Sequence, residues 1–163
     1  MYQTEELIRS FDGDLNQINK HVIANIQDSV DAKNQILLWY ADVIDHMQKE
    51  NIIDDPGKHL QTTQHLVADL QAIHEDLIET DSVYLEVFNQ AKTSIEAHIA
   101  FSQHTITSPV QICLNSVYGL LLLKLRGKQL DKKLQQDVEH QADILSYLSK
   151  IFQKRQKEAK TQS

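Results

Sequence analysis

Between Val110 and Leu125 the chain reads VQICLNSVYGLLLLKL, and only Gln111, Asn115, Ser116, Gly119 and Lys124 interrupt its apolar run. A helix apolar on nearly every side belongs inside, among other helices. The Val117–Leu123 core of this run is too short to cross a bilayer, which takes about 20 such residues. Ser108, Pro109 and Gln111 read as an N-cap, a proline at the first helical position and a capping-box residue. Lys124 and Arg126 suit the negative end of the helix dipole, and Gly127 reads as the C-cap glycine. The expectation is a central apolar helix over 109–126 with amphipathic helices wrapped around it.

Four glycines and two prolines in 163 residues leave few places for strand-and-turn architecture. The apolar periodicity divides the remainder into helices joined by short turns. A first helix over 2–11 carries Leu7, Ile8 and Phe11 and stops at Asp12-Gly13. No N-cap residue stands before Tyr2, so the chain reads as beginning inside a helix. Asp14 caps a second helix bearing Leu15, Ile18, Val22, Ile23 and Ile26, broken by Asp28-Ser29. A third, over 30–51, aligns Ile36, Leu37, Tyr40, Val43, Ile44 and Met47, with Trp39 at the stripe's edge. After the Asp54-Asp55-Pro56-Gly57 turn, a fourth over 59–79 steps through Leu66, Leu70, Ile73 and Leu77. Ser82 reads as the cap of a fifth, which turns Tyr84, Val87, Phe88, Ala91, Ile95 and Ile99 inward. The last helix opens at Leu130-Asp131 and carries a seam of Leu134, Val138, Ala142, Leu145, Leu148 and Phe152. Short connections make neighbours antiparallel, so the sequence predicts an all-α, single-domain up-and-down bundle of about six to seven helices over 1–155. Residues 156–163 read as a frayed basic tail.

Charge is unevenly spread. Residues 1–123 hold 6 Lys/Arg against 18 Asp/Glu, and residues 124–163 hold 10 against 5, so −12 and +5 give the net −7. Most of the late cations suit the end of a helix, but the asymmetry also favours contacts between copies of the chain. Nucleic acid is disfavoured as a partner. Residues 1–50 carry 4 basic against 9 acidic side chains, and the tail lacks aromatics to stack on bases beyond Phe152. The N-terminal residues show no export signal, and the lone Cys113 has no partner for an internal disulfide, so a cytoplasmic protein away from membranes is expected.

Several residues resemble a known pattern. Tyr2-Gln3-x-Glu5-Glu6-Leu7-Ile8-Arg9 is similar to the Trp-Gln-x-Glu-Asp-Leu-Ile-Arg opening of an uncharacterised helical domain-of-unknown-function family of Bacteroidetes. Trp39-Tyr40, Gly57 with His59-Leu60-Gln61, Asp69-Leu70, His74 and Tyr118-Gly119-x-Leu121-Leu122-Leu123-x-Leu125 continue the resemblance in order along the chain. Tyr2 departs from the family's Trp, and the short helical extension that precedes it in members is absent. The resemblance implies a cytoplasmic all-helical protein with no known activity and no functional residues to carry over.

The motifs of familiar catalysis are missing: there is no phosphate loop, cysteine pair or nucleophile elbow, and no cofactor is implied. A bundle di-iron site needs paired Glu-x-x-His turns. Asp137-x-x-His140 is the nearest approach, and His140 falls off the apolar seam. Eight histidines still invite a metal hypothesis. His74 and His98 lie on apolar stripes, but in a hairpin turning near Asp81 they stand ten residues apart in level, about 15 Å. Reflecting the helices about their turns instead levels His46, His65 and His98. Three imidazoles in one layer would resemble a catalytic zinc centre with an open position. His59 and His74 read as structural. Two functions follow: a non-enzymatic interaction protein that forms a homo-oligomer, or a metal- or small-ligand-binding bundle, a hydrolase or transferase, built on that layer.

Overall fold

The computed structural model describes residues 2–56, 58–125 and 127–161, without the side chains of Tyr2, Leu122 and Leu125. The Gly57 end of the expected turn, the Arg126 cation and the last two tail residues lie outside these. Among the described residues the fold is all-α, with seven α-helices and no strand: α1 Tyr2–Ser10, α2 Leu15–His21, α3 Val30–Lys49, α4 Gln61–Thr80, α5 Ser82–Phe101, α6 Pro109–Leu125 and α7 Lys132–Thr161. They form two compact units, 1–64 and 65–163, with the division inside α4.

In the first unit α1 and α2 pack on α3. Ile8, Ile18, Ile23, Tyr40, Val43, Ile44, Met47, Ile52 and Leu60 share one buried core. The turn after α1 depends on left-handed backbone at Asp12 (φ 51) and Gly13 (φ 69). A Cβ at Gly13 would also stand 2.7 Å from Ile53 Cδ1, so the end of that side chain would have to shift. Asp14 caps α2, accepting from the Asn16 and Gln17 amides. That helix stops at His21, earlier than its apolar pattern implies, and a 3-10 turn over Ile23–Asn25 follows. The Asn25 side-chain amide donates to the His21 carbonyl, taking one of the acceptors left open at the helix end. α3 starts on the Ser29 cap and ends with Asn51 in left-handed backbone (φ 53). The amides of Asn51 and Ile52 return to the carbonyls of Gln48 and Met47 there.

In the second unit α4, α5, α6 and α7 bury one core, including Leu70, Ile73, Leu77, Tyr84, Ala91, Ile95, Cys113, Ile144 and Leu148. Leu66 lies at the surface instead. The cap of α5 is Asp81, not Ser82, because the Asp81 carboxylate reaches both the Val83 and Tyr84 amides. α6 begins as its sequence implies, with Ser108 Oγ accepting from the Gln111 amide. It ends on Gly127 in left-handed backbone (φ 66). Its first half is buried at Val110, Ile112 and Cys113, whereas Leu121 in the second half is 40 % exposed. In a four-helix unit each helix occupies a corner and keeps an outward face, so burial on nearly every side is not reached here. α7 departs from expectation twice. Its buried seam includes Gln141 and Ile144, and residues 156–161 are helical instead of frayed, though exposed.

Candidate functional site

A buried carboxyl organises the start of the chain. Glu5, in the first turn of α1, has no exposed surface. Its Oε2 accepts from His59 Nδ1 at 2.7 Å and from the Leu60 amide at 3.3 Å. Its Oε1 accepts from the Thr63 hydroxyl. One side chain thus satisfies a donor on each of three residues around the beginning of α4, where amides lack partners and anions are favoured. Beside it, Glu6 pairs with Arg9 at 2.5 Å and lies 3.7 Å from His59 Nε2. Arg9 continues outward to the carbonyls of Ile52 and Lys58. This knot joins α1 to the segment ahead of α4. Arg9 holds backbone carbonyls while His59, Leu60 and Thr63 donate to Glu5, so the knot acts as a structural clamp.

A second cluster lies in the other unit. His74 of α4, 2 % exposed, shares a 2.6 Å hydrogen bond with the Tyr84 hydroxyl of α5. Burial lowers the His74 pKa, against a smaller opposing effect of Glu75. Burial, with a contribution from Cys113, raises that of Tyr84. Both groups are therefore held neutral, and the bond joins an uncharged imidazole to an uncharged phenol. Phe88 packs against the imidazole, with ring centres 4.9 Å apart. Burial pushes the Cys113 thiol up to about 12. The phenol and the thiol are thus held in their protonated, weakly nucleophilic forms in a dry core.

The three histidines of the expected layer belong to both units. His46 belongs to the first unit and is exposed, with Nδ1 on the Asp42 carbonyl at 2.7 Å. His65 is exposed at the start of the second unit, and His98 is half-buried on α5. Among the described residues no group of three or more His, Cys, Asp or Glu is placed to hold a metal ion. His98 Nδ1 is buried without a hydrogen-bond partner among the described residues, as is Gln141 Oε1. Gln141 Nε2 donates to Ser94 Oγ at 2.9 Å, one helical turn from His98.

The family of unknown function named Domain of unknown function (DUF4924) matches over residues 1–159. The chain belongs to this family. No curated protein and no solved structure matches it. In this DUF4924 chain the residues that signalled the resemblance at its start and at 59–61 meet in the Glu5 clamp. Sequence periodicity passed over Glu5 because a carboxylate in a first helical turn looks like an ordinary dipole partner.

The DUF4924 chain also carries large apolar side chains outside its cores. On α3, Leu38 is 70 % and Trp39 44 % exposed. The Trp39 ring meets Tyr40 edge-on, with ring centres 5.3 Å apart. At 100° per residue, Asp31, Asp42 and Asp45 lie within about 40° of Leu38 on the helix surface, and all three are exposed. Among the described residues no helix is long and apolar enough to cross a membrane.

Proposed function

We propose that this protein is a non-enzymatic, cytoplasmic helical interaction protein that self-associates. The observation that carries the reading is the Leu38–Trp39 face of α3. A leucine and the chain's single tryptophan stand in solvent there, one position from a buried tyrosine. Tryptophan is enriched among residues that dominate association energy, and adjacent exposed apolar side chains mark contact surfaces. Both buried polar clusters support the same side, since each is spent on structure. The unpaired, buried Cys113 suits a reducing compartment.

Native mass spectrometry and light scattering across a wide concentration range test the reading. The expected result is a mass above the 18.8 kDa of one chain, rising with concentration and accompanied by a blue shift of Trp39 emission. A single-chain mass at every concentration overturns it.

A further inference from the structure

We infer that the Leu38–Trp39 face of α3 receives the basic end of α7 from a second copy of this chain. The inference rests on the self-association reading and says which surfaces meet.

The two surfaces are complementary in charge. Around Leu38, Asp31, Asp42 and Asp45 face solvent. Asp45 is paired with Lys49 at 2.6 Å, and Asp42 lies 3.6 Å from the His46 ring. The unit that bears this face, 1–64, holds 5 Lys/Arg against 11 Asp/Glu, a net of −6. At the other end of the chain, every residue of α7 from Gln153 to Thr161 is exposed, and all are helical. Residues 150–161 carry five cations, Lys150, Lys154, Arg155, Lys157 and Lys160, against Glu158 alone. Arg155 is turned onto Asp76 of α4 at 2.5 Å. Lys150, Lys154 and Lys157 fall on one stripe, spaced four and three residues apart.

A helix end with no buried face gains nothing from packing, and most helical stability in proteins comes from packing. Docking on a second copy supplies that face. The lysine stems lie along Leu38, their ammonium groups meet the aspartates, and an ammonium over the Trp39 ring adds a cation–π contact. Each copy carries one acidic face and one basic end, so the contact repeats when the assembly closes. Repetition is also what area requires: one short helix on one face falls below the roughly 1,200–2,000 Å² of a stable complex, and two such contacts approach it.

Paired charge reversals test this. One variant carries Asp31→Lys with Asp42→Lys, and the other Lys154→Glu with Lys157→Glu. All four positions are exposed, and circular dichroism verifies that each variant keeps its helices. Each alone is expected to assemble at least about tenfold more weakly than wild type. Mixed in equal amounts they are expected to regain the wild-type mass and the Trp39 blue shift, because reversed face then meets reversed end and both native surfaces also find each other. Raising ionic strength weakens wild-type assembly. Wild-type assembly unaffected by either reversal overturns the inference while leaving self-association standing, and so does a mixture that stays dissociated. A wild type that is a single chain at every concentration overturns both.

Discussion

Tyr147 of α7 donates its hydroxyl to Asp81 Oδ2 at 2.7 Å, while Asp81 Oδ1 caps α5 by accepting from the Val83 and Tyr84 amides. One carboxylate therefore ties the α4–α5 turn to a helix 66 residues further along the chain. The Tyr147 hydrogen bond, and then the amide ones, hold the Asp81 pKa below its ordinary 3.8. Stability from this group is present above the unfolded value and lost as pH falls through the folded one. Tyr147→Phe is expected to move the Asp81 titration upward and reduce the acid-induced loss of stability. Carboxyl NMR titration with unfolding at several acidic pH values checks both effects.

Glu5→Ala removes the acceptor shared by His59, the Leu60 amide and Thr63. Stranding several buried donors costs about 3 kcal/mol. The loss should appear in denaturant unfolding monitored by Trp39, which lies in the same unit. A midpoint unchanged from wild type would show that the clamp contributes nothing.

His74 titrates with a lowered folded pKa, for burial disfavours its charged form. Below about pH 6.5 the unfolded chain takes up a proton there that the folded chain resists, so folding stability falls as pH drops toward the folded value. Above that pH the contribution is constant. His74→Gln keeps a side chain able to pair with Tyr84 but does not titrate, and should flatten this part of the stability–pH curve.

Cys113 should resist thiol reagents at neutral pH, being fully buried with its thiol pushed up to about 12. Its modification is expected to follow opening of the second unit, slow in buffer and fast in denaturant. Rapid labelling of the folded protein would contradict the α6 packing described above.

Much of this architecture could be read in advance from local chemistry. The Asp14 and Ser108 caps, the Gly127 stop and the apolar stripes of α3 and α5 depend on residues within a turn or two of each other, and they stand where spacing puts them. Long-range partnership is another matter. Periodicity marks the face of a helix that is apolar but not what covers it, so the Glu5–Thr63 and Asp81–Tyr147 bonds left no trace in it. Gln141 is polar by type and buried by position, which defeats a reading based on hydrophobicity. Leu38, which the stripe of α3 left out, is apolar by type and exposed by position. The histidine layer rested on helix levels counted through the turns, and its members belong to two units.

The Glu5–Thr63 bond spans 58 residues, and this bears on how the protein is born. At the ordinary pace of translation, about 5–20 residues per second, Glu5 is joined to the chain roughly 3–12 s before Thr63 is added. Throughout that interval Leu7 and Ile8 have no finished core to enter, and Glu5 has no donors from the 59–63 segment. The nascent first unit is thus obliged to wait with the apolar face of α1 uncovered until the 59–63 segment follows.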